Sequence, residues 1–423
     1  MDVVLHEMRP EVPTAAHRSS DAAELVCSNS LGSRLPDRAG GVLQQELRTL
    51  GCRLLELADE NAVAAGAALA VDRERFGAAV TAALEAHPRI ELRRGEVRAL
   101  PDAPVCVVAS GPLTSDALAA DIQRLTGTEH LSFFDALAPV VAAESLDRSV
   151  IFEAARWGKG DPDYLNVPLS KDDYEALVDG LLAAEKHELK DFEAADPRAA
   201  NFFERCLPVE VLAARGRDAL RYGPLRPVGL WDPRDDRRPW AVLQLRREDA
   251  AGALWNLVGF QTNLRYSEQE RVLRALPGMQ DAEFVRLGSM HRNTFLDAPR
   301  MLDATMEFRG RRGLFFAGQI TGMEGYVGNV GSGLLAGRNA VRRVAGEELE
   351  VLPRTTLLGA LAAHVAESPA QPFQPMKAEF GLLPPLIPPR RKTERRAAYA
   401  ERSAEALAAH LHAHPLPATR YAT

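Results

Sequence analysis

Cys27 lies in Glu24-Leu25-Val26-Cys27-Ser28-Asn29-Ser30 and Cys206 in Glu204-Arg205-Cys206-Leu207-Pro208-Val209-Glu210, polar segments bounded by Ser or Pro rather than apolar runs. The thiolate is the reactive form of cysteine, and nearby cations favour it; Arg205 and Arg215 are candidate supports for Cys206 by proximity in sequence. The bland reading is a pair of buried structural cysteines. Cys106, inside an apolar strand, and Cys52, inside a helical pattern, read as packing. Four cysteines at these positions give neither a disulfide framework nor C-x-x-C zinc spacing, so no metal site is expected and the thiols fit a reducing compartment. His291-Arg292-Asn293 adds an imidazole able to stack on a planar ring and a guanidinium able to grip a carboxylate.

A second chemical signal is made of glycines. Gly313-Leu314-Phe315-Phe316-Ala317 reads as a buried strand that runs into Gly318-Gln319, Gly322, Gly325 and Tyr326, then a helix from Gly331 to Val344. Glycines let backbone approach a ligand where a Cβ would clash, and helix amides past such a turn can face a diphosphate or a flavin edge. Ser110-Gly111-Pro112, after the apolar strand Val105 to Ala109, resembles the strand-end turn of flavoproteins with the glutathione-reductase fold. Glu7 closes the short strand Val3-Val4-Leu5, where a second Rossmann strand usually offers a carboxylate to a ribose.

These residues need a scaffold, and the apolar pattern supplies an α/β one. Leucines and Val42 recur at helical spacing from Gly40 to Asn61, Ala67 to Val71 reads as a strand, and Asp72 as the N-cap of a helix carrying Phe76, Val80 and Leu84. Short strands follow near Ile90-Leu92 and Val97-Leu100. Such alternation predicts a nucleotide-binding sheet. The pattern then changes, which predicts a discontinuous cofactor domain at 1–145 and 301–350 and an inserted α+β domain at 146–300. A Pro-rich linker and a terminal helix from about Thr393 to His412 fill 351–423.

Hydrophobic residues at 46% and charged residues at 26% describe a globular chain, with no apolar run of membrane-spanning length or signal-peptide pattern, so the expectation is cytoplasmic. A net charge of -7 argues against bulk electrostatic binding of nucleic acid. An RNA ligand would need a local patch, for which Arg234 with Arg237 and Arg238, Arg246 with Arg247, Arg309 with Arg311 and Arg312, and Arg390-Arg391-Lys392 with Arg395-Arg396 are candidates beside the solvated-face reading.

The cysteine and glycine segments, with Ala70-Val71-Asp72-Arg73, Phe133-Phe134-Asp135-Ala136, Gly259-Phe260-Gln261-Thr262 and Met290-His291-Arg292-Asn293-Thr294, resemble the folate- and FAD-dependent tRNA (uracil-5-)-methyltransferase family, TrmFO, over nearly the whole chain. The resemblance implies methylation of a T-loop uridine of tRNA. Methylenetetrahydrofolate would give the carbon, with FAD as cofactor and NADH or NADPH as reductant. It implies Cys206 as nucleophile and Cys27 as base. Glu7, Ser110, Gly111, Gly318, Gln319, Gly322, Gly325, Tyr326 and Gly331 would bind FAD, and His291, Arg292 and Asn293 the folate substrate. A ribosomal RNA uridine as substrate, and an inactive RNA- or folate-binding paralogue, are the alternatives.

The chain departs from that pattern at its start, where the first strand and G-x-G-x-x-G loop of the fold do not precede Val3. A late start codon or trimmed chain is the expectation, with weak FAD binding through the remaining half-site or lost catalysis as alternatives. The departure should leave apolar strand faces uncovered. Gly328-Asn329 stands where a Glu-Ser pair is expected, Gly32 where a basic residue is expected, and Val167 where relatives often carry cysteine; Val167 is expected only to pack.

Overall fold

The computed structural model describes all residues except 15, 128–130, 159–160, 188–206, 235–237, 370–372 and 417–423; for 131–136 and 290–294 it describes backbone only. Cys206 therefore lies outside the described residues.

Strand Val3–Glu7 runs parallel to Ile90–Arg94, and Cys106–Val108 runs parallel to Leu314–Phe316 with Val108 opposite Phe316. Parallel partners need long crossovers, and helices provide them. Asp72 caps the Arg73–Glu85 helix, accepting from the Arg75 amide at 3.0 Å, as its sequence position predicts. The expected single helix from Gly40 to Asn61 is two, Ala39–Thr49 and Arg53–Glu60, because Gly51 adopts φ 79 and breaks the first. Cys52 consequently sits at the N-cap of the second helix rather than within a helix, and burial pushes its thiol up. Val97-Leu100 does not form a strand. Val3, Val4 and Val107 are exposed apolar residues on the two parallel pairs.

The middle of the chain builds a six-stranded sheet in the order Phe284–Arg286, Val140–Ala142, Leu254–Leu257, Ala241–Arg247, Tyr164–Leu169, Phe152–Glu153, with every neighbouring pair antiparallel. Its core runs from Val141 to Ala282 and includes Leu165, Val167, Leu243, Leu245, Trp255 and Phe260. Val167 is fully buried opposite Leu243, the packing role expected of it. The other core gathers residues from both ends of the chain, among them Leu47, Phe76, Phe315, Phe316, Leu335 and Leu361. The two cores thus have separate origins in the sequence, one from both ends of the chain and one from its middle. Leu131–Ala136 and Met290–Phe295, on either side of that middle stretch, pair antiparallel with His291 opposite Asp135.

The segment expected as linker contains a buried helix, Leu357–Glu367. Its first-turn amides are satisfied by Thr356 and by Glu46, whose carboxylate accepts from Leu357 at 2.7 Å and Leu358 at 2.8 Å and from the Ser403 hydroxyl. Ser403 belongs to the terminal helix Arg395–Ala413, so one buried carboxylate joins three helices. Among the described residues no helix is long and apolar enough to cross a membrane.

Candidate functional site

Cys27 is held where the two parts of the molecule meet. Its backbone nitrogen donates to Tyr326 Oη at 2.9 Å, and Ser28 N donates to the same oxygen at 3.4 Å. Tyr326 opens the 20-residue helix Tyr326–Ala345, with Gly325 at its N-cap in a conformation (φ 80, ψ 143) closed to other residues. On the other side, Asn29 is fully buried and donates to Val71 O at 3.0 Å and to Arg247 O of the inserted sheet at 2.7 Å. Arg246 donates to Asn29 Oδ1 at 3.0 Å and to Ser28 Oγ at 2.7 Å. The cysteine segment is thus tied to the glycine helix and to the insertion at once.

Three guanidiniums act on the Cys27 sulfur: those of Arg73, Arg246 and Arg286. Arg73 also donates to Leu25 O and pairs with Glu248 at 2.8 Å. Burial alone would lower the Arg73 guanidinium, but Glu248 outweighs it and holds it above its ordinary value. Arg286 sits 3.8 Å from Glu248, and its Nε and Nη2 are buried with no hydrogen-bond partner among the described residues. Burial, with the Arg73 charge adding to it, pulls Arg286 down to about 10. Tyr326 is the opposite case: burial, then the Cys27 sulfur, push its hydroxyl well above its ordinary value, so it stays a neutral O–H.

A notch lies at the carboxyl ends of the neighbouring parallel strands Cys106–Val108 and Leu314–Phe316. Gly111 (φ 72) and Gly318 (φ 82) follow them, and a Cβ on either would meet open space. Ser110 Oγ is 2.7 Å from Thr114 Oγ1, and the Gly318 amide donates to Ser332 Oγ at 2.7 Å, which ties the turn to the Tyr326–Ala345 helix. Gln319 Nε2 donates to Glu324 at 3.2 Å. Asn329, in the first turn of that helix, has a buried Oδ1 with no partner among the described residues. Open space at strand ends, a helix N-terminus and an orphan acceptor suit a flat ligand with a donor edge.

The expected site residues distribute unevenly. At Gly322 and Gly331 the space beside the backbone is taken by packing: a Cβ on Gly322 would lie 2.3 Å from the Phe373 ring and one on Gly331 2.8 Å from Leu358. Glu7 does end its strand, yet its carboxylate accepts from Arg9 N and Nε, both at 3.0 Å, and from Nη2 at 3.1 Å. Burial works against the Glu7 charge, but Arg9 holds its carboxyl below the ordinary value. Cys106 lies in its strand with burial pushing the thiol up, as a packing cysteine should. His291, Arg292 and Asn293 are placed by backbone alone, on the strand opposite Phe133, Phe134 and Asp135. Beyond Cys206, Leu207 is buried and the Val209 amide donates to Gln261 O at 2.7 Å, seating the next residues against the Gly259-Thr262 turn. Arg215 is exposed at the end of the Val209–Ala214 helix.

Sequence reasoning missed Arg73, Arg286, Glu248 and Asn329 as site residues and placed Arg246 in a surface patch, whereas its side chain is buried at Ser28 and Asn29. Polar residues in an apolar strand, Gln244 and Arg246 among Val242, Leu243 and Leu245, were the available signal.

The comparisons agree with this architecture. Residues 1–348 match the family model described as glucose inhibited division protein A. The structure of Aquifex aeolicus GidA superposes with a TM-score of 0.65 over 92% of this chain and 67% of that one, at 16% identity, which establishes the shared fold. Within that class, the chain is 52% identical over 418 residues to methylenetetrahydrofolate--tRNA-(uracil-5-)-methyltransferase TrmFO of Thermosynechococcus vestitus, covering 99% of this chain and 91% of that protein. It is 54% identical over 402 residues to the protein of the same name from Geobacter sulfurreducens, covering 95% and 91%. The chain belongs to the TrmFO family.

Proposed function

We propose that this protein methylates carbon 5 of a tRNA uridine with methylenetetrahydrofolate as carbon donor. The observation that carries the reading is the Cys27 segment: its backbone is held by Tyr326 of the glycine helix, Arg246 donates to the neighbouring Ser28 and Asn29, and the charges of Arg73, Arg246 and Arg286 interact with Cys27. More than half-identity to relatives named for this reaction supports it.

The chemistry accounts for the residue types. Carbon 5 of uracil attacks an activated methylene only after a thiolate adds at carbon 6, and Cys206 is proposed to supply that thiolate. The carbon 5 proton must then leave, and Cys27 is proposed as the base that takes it. Arg73, Arg246 and Arg286 are proposed to favour the thiolate that accepts the proton, and Tyr326 fixes the backbone that carries it. The notch with Gly111, Gly318, Gln319, Gly325 and Asn329 fits FAD, because Asn329 Oδ1 lacks a donor that a flavin edge carries and the two glycines leave the strand ends open. Bound FAD supplies the reducing equivalents, drawn from NADH or NADPH. His291, Arg292 and Asn293 are proposed to hold the folate, and the T loop is the proposed target.

The test is transfer of label from the methylene carbon of methylenetetrahydrofolate to a tRNA transcript, using protein reconstituted with FAD and a reduced pyridine nucleotide. Labelled 5-methyluridine is expected. FAD-loaded protein that transfers no label would overturn the assignment.

A further inference from the structure

A cleft of about 760 Å³ opens in the inserted domain, lined by Leu169, Lys171, Arg221, Tyr222, Arg226 and Trp240 among others. It lies far from Cys27. Leu169 pairs with Ala241 at one end of the central strands and Tyr164 pairs with Arg246 at the other. Trp240 is six residues from Arg246, about 20 Å at strand rise.

Its chemistry is that of stacking beside cations. Arg221 lies 3.9 Å over the Trp240 ring and 5.7 Å from the Tyr222 ring, and donates to Trp240 O at 2.9 Å. Tyr222 is 73% exposed, although a large aromatic without function gains by burial. Arg226 and Arg238 also line the cleft, both exposed and with no ion pair among the described residues. The acids there are engaged: Asp232 with Arg234, and Asp173 in the capping box of Ser170. The flank carries two more exposed indoles, Trp157 at 60% and Trp231 at 46%, in edge contact with centroids 6.3 Å apart. Trp157 has φ 62, a conformation disfavoured for a bulky residue, and lies over Gly229, where a Cβ would come within 2.8 Å of the indole. Arg156 fixes this loop by donating to Val228 O at 2.8 Å and to Gln244 at 2.8 Å.

We propose that this cleft docks a non-helical segment of the RNA substrate remote from the reacting uridine, with bases stacking on Tyr222 and the neighbouring indoles and phosphates meeting Arg226 and Arg238. On a chain of net charge -7, a fixed cationic and aromatic cleft is the local patch that RNA binding requires. The inference rests on the proposed tRNA substrate.

The test compares full-length wild type with Tyr222→Ser and with Arg226→Ser/Arg238→Ser for affinity to a tRNA transcript across salt, alongside KM and kcat. Tyr222→Ser should weaken binding about fivefold or more, and the double arginine variant should flatten the log–log salt slope by about 1.4. KM for tRNA should rise while kcat at saturation is kept. Unchanged affinity and slope in both variants, with wild type binding tightly, would overturn the cleft proposal and leave the cleft to a protein partner. A wild type that fails to bind the transcript would overturn the tRNA reading itself, and this inference with it.

Discussion

Tyr326 Oη accepts the backbone N–H of Cys27 at 2.9 Å across 299 residues of sequence. The bond joins the first turn of the glycine helix to the segment that carries the candidate base. Replacing the hydroxyl leaves two backbone donors, of Cys27 and Ser28, without this acceptor. Tyr326→Phe should cost about 1–2 kcal/mol in denaturant unfolding and lower turnover more than it lowers tRNA affinity. Unfolding and turnover equal to wild type would contradict the coupling.

Arg286 presents a charge to Cys27 without spending its Nε or Nη2 on a hydrogen bond. In Arg286→Met the midpoint of Cys27 alkylation by iodoacetamide should move up by about one pH unit, because a cation that favours the thiolate is gone. The Cys52 and Cys106 thiols are held up by burial and should contribute little to the same profile. An unmoved midpoint would remove Arg286 from the cluster.

Gly318 and Gly331 separate ligand space from packing. Gly318→Ala should destabilise the protein by about 1–3 kcal/mol, since φ 82 with ψ -163 is glycine territory, and should reduce the FAD retained after desalting. Gly331→Ala places its methyl against Leu358 and should lower stability while FAD retention stays at the wild-type level. The reverse pattern would mean that the notch is misassigned.

Much of this was legible in the sequence, but unequally. The strand that ends at Ala317, the Asp72 cap and the Cys27 segment could be read because local patterns specify them: alternation of apolar runs, a capping residue, a polar setting for a thiol. The guanidinium cluster could not, because Arg73, Arg246 and Arg286 come from three distant elements and only the fold brings them to one sulfur. Gly331 shows the opposite limit: a glycine that packs against a neighbouring helix is indistinguishable in sequence from one needed for a ligand. The Leu357–Glu367 helix was hidden by the prolines around it, and its first turn depends on Glu46, far away in the chain.

Glu350 gives the account a pH dependence. It accepts from Arg338 at 2.7 and 2.9 Å and lies 3.1 Å from His410 of the terminal helix. Burial alone would raise its carboxyl, yet Arg338 and His410 hold it below the ordinary carboxylate value. Its folded pKa is depressed, so its stabilisation is present above the unfolded carboxylate pKa and is lost as pH falls through the folded one. Thermal unfolding should therefore show an acid limb below about pH 4 that is smaller in Glu350→Gln, a variant expected to lose about 3–5 kcal/mol at neutral pH. Equal limbs in both proteins would assign the acid sensitivity elsewhere.

The central claim is that Cys27 removes the carbon 5 proton, and Cys27→Ala tests it most directly when covalent trapping of a 5-fluorouridine tRNA and turnover on the unmodified tRNA are measured on the same preparation. In Cys27→Ala the adduct should still form while turnover is lost, and Cys206→Ser should abolish the adduct. Full turnover in Cys27→Ala would contradict the account.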